Sequence, residues 1–308
     1  MDPKVNLFLV GAAKAGTTAL AQLLSQQSNV FSPTLKEPCH FGSDIDPSQF
    51  SKNYASRVTL PQGYFNTPKR ESLHMAFVKD PKNYQKLYEG SDSFEYRLDA
   101  STVYLSSQKA SEEIAQYNPF AKVLIILRDP AQRAYSHYLM GVQMGLISTS
   151  FEEAWEQDLL KTPKGIGQSE MLSELGLYAE SIKRYLSVFP REQICFLLHE
   201  EFSLMTHGFS ESLGGFLKMP LDFSEVTREN TSVETKYKKV NKWIKGNAML
   251  QSVKDKMAPQ VVGRVKKWMT QDVSPLSSEM RAHLTEFYQD DIIETEALTG
   301  FDLTKWKK

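Results

Sequence analysis

The chain has 308 residues, 41% apolar and 24% charged, with a formal net charge of -1 at pH 7. This ordinary globular balance can bury a full core, and it excludes a global basic field for nucleic acid. It also weighs against a long polyanionic glycan as partner, although a local basic patch is compatible with it. The two cysteines, Cys39 and Cys195, are too few for a disulfide framework and fit a reducing compartment.

Hydrophobic periodicity gives the elements in chain order. Val5–Val10 reads as a buried strand, and Thr18–Ser28 as a helix with Leu20, Leu23 and Leu24 on one face. No apolar leader precedes this strand, and no apolar run approaches the ~20 residues that span a bilayer. The expectation is a cytoplasmic protein with no membrane segment. Residues 32–95 are rich in Pro, Ser, Asn and Tyr and read as loops and short elements. "YRLDAS" reads as a short strand, and "KVLIILR" (Lys122–Arg128) as a strongly buried one. Asp129 and Pro130 then cap and open a helix. In "GLYAESIKRYLSVF", Tyr178, Ile182, Tyr185, Leu186 and Phe189 share one helical face. "QICFLLHE" follows as a strand, and a last helix runs from about Ser277 to Leu298, with Gly300 as its stop. Strands that are continuous apolar runs and alternate with helices predict an α/β fold: a central parallel sheet covered on both faces, in one domain over 1–308.

Two stretches carry chemistry. In "VGAAKAGTTAL" a strand meets a helix through a small-residue loop. Such a loop offers free backbone N–H groups and the positive end of a helix dipole to a phosphate. Nucleoside-triphosphate loops place a lysine directly after the second glycine. Here Thr17 follows Gly16, and the lysine is Lys14, inside the loop. From there its ammonium would stand near a first phosphate and its leaving-group bond instead of reaching a γ-phosphate. In "KVLIILRDPAQRAYSHYLMG" a strand ends in Arg128, and Ser136 lies two turns into the next helix. An arginine fork and a serine hydroxyl can share one oxyanion, though spacing alone does not bring them together. Asp129 is read as a helix cap, Arg133 as a solvated helix arginine, and His137 as facing away from Ser136. Reading "LIILRD" as a magnesium-binding strand would need a loop lysine that is absent.

"GAAKAGTTAL" resembles the 5′-phosphosulfate loop of the sulfotransferases that use 3′-phosphoadenosine 5′-phosphosulfate (PAPS), commonly P-K-x-G-T-T-x-L. Ala13 replaces a frequent proline. The second stretch resembles the family's 3′-phosphate motif, R-[DN]-P-x-x-R-x-x-S-x-[YH], matched by Arg128, Asp129, Pro130, Arg133, Ser136 and Tyr138. The helix–strand segment from Gly176 and the C-terminal helix with its tryptophan are similar to those of bacterial and heparan-sulfate-type members. The resemblance implies a P-loop-like sulfotransferase fold, PAPS as donor and adenosine 3′,5′-bisphosphate as product; no metal is expected, since no carboxylate or His/Cys cluster has ligand spacing. Lys14, Ala15, Gly16, Thr17 and Thr18 would bind the 5′ end of the donor, and Arg128 and Ser136 its 3′-phosphate. Lys14 would also steady the leaving group.

On the acceptor side, "LKEPCHFGSD" offers Glu37 as general base, with His40 as the other candidate. The resemblance favours Glu37. Family members carry K-E-x-H-F-F or similar, and here Cys39 fills the usual histidine position, so His40 comes one place late. "DASTVYL" is similar to a family segment with proline where Thr102 stands. Asp99 and Ser101 either reach the acceptor or tie the strand end. A basic run, Arg228, Lys236, Lys238, Lys239, Lys242 and Lys245, is a solvated helix or a lid over the donor. Residues 42–95 and 143–175 are expected to shape the acceptor pocket. The acceptor is expected to be a small-molecule or carrier-bound natural product, neither nucleic acid nor membrane, with a glycan as the alternative. A nucleotide kinase and a non-catalytic nucleotide-binding module are the remote readings.

Overall fold

Five short strands form the centre of the molecule, a computed structural model that describes residues 4–67, 70–222 and 275–308. The strands are β1 (Leu7–Gly11), β2 (Val30–Phe31), β5 (Tyr96–Asp99), β6 (Lys122–Leu127) and β7 (Ile194–Leu198). They pair in the order β2-β5-β1-β6-β7, and every pairing is parallel. All five residues of β1 are buried, and Val123 through Leu127 of β6 are fully so. A strand buried on both faces needs no in/out alternation, which is why these segments read as continuous apolar runs. Two further strands, β3 (Leu35–Glu37) and β4 (Leu73–Met75), pair with each other outside this sheet, also in parallel. At three residues each, β3 and β4 are too short to show a period, so 32–95 reads as loops and short elements.

The helices of the described residues are α1 (Thr17–Ser25), α2 (Lys52–Val58), α3 (Pro81–Lys86), α4 (Ala110–Tyr117), α5 (Pro130–Gln143), α6 (Phe151–Leu160), α7 (Ala179–Val188), α8 (His199–Leu204), α9 (His207–Leu217) and α10 (Ser278–Thr299). Asp129 caps α5 by accepting from the N–H groups of Ala131 and Gln132 at 3.0 and 3.1 Å. Gly300 ends α10 with φ 79°. On α7, Ile182 and Tyr185 are buried together with the flanking Tyr178 and Phe189, while Leu186 is half-buried. The cap of α7 comes from α10, where the Asp291 carboxylate accepts from Tyr178 N–H at 2.8 Å and Ala179 N–H at 3.0 Å. Arg133 departs from the expectation of a solvated arginine. It is fully buried, donates through Nη2 to Leu172 O and lies 3.5 Å from His137 Nδ1. Apart from 275–277, the described residues fall in one compact unit, Met1–Phe223 with Ser278–Lys308. Among them, no helix is long and apolar enough to cross a membrane.

Candidate active site

The parallel strands deliver their C-terminal ends to one edge, where open α/β sheets hold their ligands. From β1 the chain enters the loop 12–16 and then α1. Gly16 has φ 90°, and a Cβ there would stand 2.8 Å from His199 Nδ1, so the position admits only glycine. The first intrahelical bond of α1 runs from Leu20 N–H to Gly16 O. The N–H groups of Thr17, Thr18 and Ala19 precede it, and no side chain caps this end. The loop is braced from beneath by two contacts. Arg128 Nη1 donates to Lys14 O at 3.0 Å, and His199 Nδ1 lies 3.1 Å from Ala15 O. Burial, and Arg128 beside it, push the His199 pKa down to about 4, so that ring is neutral at pH 7. Lys14 itself has φ 70° and rests its ammonium 3.3 Å from Met140 Sδ on α5. These features fit an anionic phosphate: bare N–H donors, a glycine that permits close approach, and two cations.

Arg128 lies directly after β6, and Tyr178 OH fixes its carbonyl at 2.8 Å. Arg128 is thereby brought against the loop that holds Lys14. Ser136 is half-buried on α5, while its neighbour His137 is buried beside Arg133, so the two point to different surroundings. Burial, Arg133 and Lys14 all lower the His137 pKa, which keeps that ring neutral.

Glu37 closes β3 and is only 3% exposed. Its Oε1 takes Lys36 Nζ at 2.7 Å, and its Oε2 accepts from both Thr102 N–H (3.0 Å) and Thr102 Oγ1 (2.8 Å). His74 Nε2 of β4 stands 3.7 Å from Oε1. The Lys36–Glu37 pair is therefore part of a caged carboxylate and not an exposed surface pair. Thr102 opens the 3₁₀ turn Thr102–Tyr104, a first-turn position that suits proline, yet here its N–H is a used donor.

Asp99 and Ser101 are both completely buried and so tie the strand end. Asp99 accepts from Ser101 Oγ at 2.6 Å, Tyr84 OH at 2.8 Å and Tyr104 OH at 2.9 Å. Ser101 and Tyr104 pass that anchorage on by accepting from the N–H groups of Cys39 (3.0 Å) and His40 (2.9 Å). The His40 ring is stacked on Tyr84 with centroids 4.1 Å apart, and its Nδ1 lies 2.6 Å from Val78 O. His40 thus sits in the wall that carries Glu37, apart from the carboxylate cage. The segments expected to shape the pocket do meet. Ser51 N–H donates to Gly167 O at 2.8 Å, and Arg57 Nη2 donates to Met144 O at 3.1 Å. Phe50, Tyr54 and Phe77 form a half-exposed aromatic group there, with Tyr54 OH 3.6 Å from Met75 Sδ and Met75 in register with Glu37.

Ala12 and Ala13 of the loop and Thr102 of the cage line one small cleft with Leu177 and Tyr178, which joins the two halves of the site. A larger hollow of about 310 Å³, at Lys4, Lys82, Lys86 and Tyr117, lies toward the opposite end of β1, away from these residues. The sequence did not single out Thr102 as a donor, His74 or His199. Each acts across 30 or more residues, and no local motif marks it. The basic run 228–245 lies outside the described residues.

The sequence matches the family described as "Sulfotransferase domain" over residues 4–301. Among solved structures, a sulfotransferase from Alicyclobacillus acidocaldarius superposes with a TM-score of 0.68 at 26% identity, covering 99% of this chain and 100% of that one. The bifunctional heparan sulfate N-deacetylase/N-sulfotransferase 4 of Mus musculus is 25% identical over 99% of this chain and 31% of its own length. The corresponding enzyme 1 of Caenorhabditis elegans is 25% identical over 70% of this chain and 22% of its own. The chain thus spans about a fifth to a third of these relatives.

Proposed function

The chain belongs to the sulfotransferase family, and from that premise we propose that it moves a sulfuryl group from PAPS to a hydroxyl or nitrogen of a small-molecule or carrier-bound natural product. We read 1–308 as one sulfotransferase domain, which the match over 4–301 supports. The observation that carries the reading is the position of Lys14. It stands inside the loop, ahead of the uncapped N–H groups of α1 and with its carbonyl held by Arg128, which supports a single 5′-phosphate over a triphosphate as its partner. In this reading Lys14, Ala15, Gly16, Thr17 and Thr18 hold the 5′ end, and Arg128 and Ser136 hold the 3′-phosphate. Lys14 steadies the charge that builds on the bridging oxygen. Glu37 serves as general base for the acceptor proton. His40, stacked on Tyr84, orients the loop that carries Glu37.

The half-exposed Phe50, Tyr54 and Phe77 beside Met75 favour an acceptor with an apolar body. The relatives that act on heparan sulfate favour a glycan as the second reading. A mass-spectrometric acceptor screen with PAPS, covering hydrophobic alcohols, phenols, carrier-bound acids and a partly N-deacetylated oligosaccharide, separates the two. Each true product gains the mass of SO₃, about 80 daltons, because the transferred group belongs to the donor. Phosphate transfer from ATP and magnesium in the same screen would instead support a kinase.

A further inference from the structure

The Glu37 cage has one member that faces solvent. His74 stands in the middle of β4, and its side chain keeps 65% of its surface exposed against 4% for the side chain of Glu37. Both carboxylate oxygens are already engaged by protein donors, Lys36 on one and Thr102 twice on the other. An acceptor arriving from solvent therefore meets the imidazole before it meets the carboxylate. The other histidines considered at this edge lack such an opening. His40 is stacked on Tyr84, His137 is buried, and His199 Nδ1 is turned to Ala15 O.

We propose that His74 is a catalytic residue of this site, working as a dyad with Glu37. In the dyad Nε2–H faces Glu37 Oε1, Nδ1 takes the proton from the attacking acceptor, and Glu37 steadies the resulting imidazolium. This rests on the reading of Glu37 as the base and divides that role between two residues. A carboxylate behind a histidine fixes its tautomer and offsets the positive charge it gains, which is the logic of acid–histidine–nucleophile triads. The step balances. The acceptor O–H or N–H gives its proton to Nδ1, and its oxygen or nitrogen bonds to sulfur. The bond from sulfur to the 5′-phosphate oxygen breaks with its electron pair on that oxygen, and the imidazolium later returns the proton to water. The 3.7 Å separation is longer than a hydrogen bond. Contacts of this kind tighten when substrates close the site.

The charges around His74 agree. It senses Glu37 and Lys36 from β3 and Lys14 from the phosphate loop. Partial withdrawal from water lowers its pKa, Glu37 raises it, and the two lysines lower it, with the balance below the ordinary 6.5. At pH 7 the ring is neutral and able to accept a proton. Lys14 is thus close enough for its charge to be felt at this imidazole.

The test compares His74→Ala, His74→Gln and Glu37→Gln. The readout is release of adenosine 3′,5′-bisphosphate from PAPS, with the best acceptor of the screen or with water. His74→Ala should lose ~10²–10⁴-fold in turnover while its stabilisation by adenosine 3′,5′-bisphosphate is unchanged. Added free imidazole should restore it in proportion to concentration, and should not restore Glu37→Gln. The rise of activity with pH below about 6.5 should disappear in His74→Gln. Near-normal His74→Ala beside an inactive Glu37→Gln would overturn the dyad and leave Glu37 as sole base. Near-normal turnover in both would remove the base reading as well. A slow His74→Ala that imidazole does not restore would make His74 a structural residue and overturn the dyad.

Discussion

The donor and acceptor halves of the site are built on different plans. The donor half is backbone: a loop of small residues, the uncapped start of α1, and side chains from neighbouring strand ends that brace the loop. Its phosphate loop, residues 12–18, runs consecutively in the chain, because a phosphate is held mainly by N–H groups at a turn. The acceptor half is side chain. Lys36, Glu37, His74 and Thr102 come from three separate segments, and Asp99 with Tyr84 and Tyr104 ties them to the central sheet. A phosphate loop of this kind can be shared by many chains, whereas a caged carboxylate depends on each chain's own long-range packing.

Loss of the acceptor half's chemistry should give the largest effect. Glu37→Gln keeps shape and removes the proposed base, so turnover should fall by ~10²–10⁴-fold. Stabilisation by adenosine 3′,5′-bisphosphate, read as a thermal shift, should survive. Lys14→Ala strikes the donor half and should cost ~10²–10³-fold, the scale of removing one charge-stabilising donor. Binding of adenosine 3′,5′-bisphosphate should weaken less, because Arg128 and the loop N–H groups remain. Unchanged turnover with collapsed affinity would make Lys14 a binding residue only, and the two halves would no longer divide as chemistry and charge.

The Asp99 network predicts a pH signature for the acceptor half, opposite in sign to the one that His199 gives the donor half. Burial raises the Asp99 pKa from 3.8 to about 6. The folded state then holds a proton that the unfolded chain has released, so stability falls as pH rises from about 4 to about 6. A shift of about two units corresponds to about 3 kcal/mol across that window. Asp99→Asn removes the titration, so the melting-temperature difference between wild type and variant should move against wild type by several degrees over this range. A difference that stays flat with pH would refute the buried charge.

The donor half should respond to ligand instead. Adenosine 3′,5′-bisphosphate at ~100 times its dissociation constant should add about 2.7 kcal/mol of stability. Removing the 3′-phosphate should abolish most of that gain if Arg128 and Ser136 bind it. Equal stabilisation by ATP with magnesium would favour the kinase reading.

How far each half was legible follows from the same contrast. The parallel sheet, the caps at Asp129 and Gly300, and the loop with Lys14 could all be read, because each depends on residues close in sequence. Arg133 was misread as solvated, because a helix arginine looks the same whether it faces water or the Leu172 carbonyl. Asp99 and Ser101 stayed undecided, because which tyrosines face a strand end is not a property of the strand. The strands β3 and β4, which set Glu37 beside Met75 and near His74, are three residues each and leave no periodic trace.

Thr102 sharpens the comparison at its finest point. At the position where the family segment that this stretch resembles has proline, Thr102 supplies two donors to one oxygen of Glu37. A hydrogen bond to a charged group is worth ~1.5–3 kcal/mol, while partial compensation by Lys36 brings the expected effect on turnover to about tenfold. Thr102→Val keeps the volume and the N–H but removes the hydroxyl, and it should show that tenfold loss with the thermal shift from adenosine 3′,5′-bisphosphate unchanged. Thr102→Pro removes both donors at a first-turn position, after a Ser101 that is already extended at φ -94° and ψ 105°. Its loss should exceed that of Thr102→Val. Wild-type turnover in Thr102→Pro would mean that Lys36 alone holds the carboxylate, and that the acceptor half, like the phosphate loop, rests on residues adjacent in the chain.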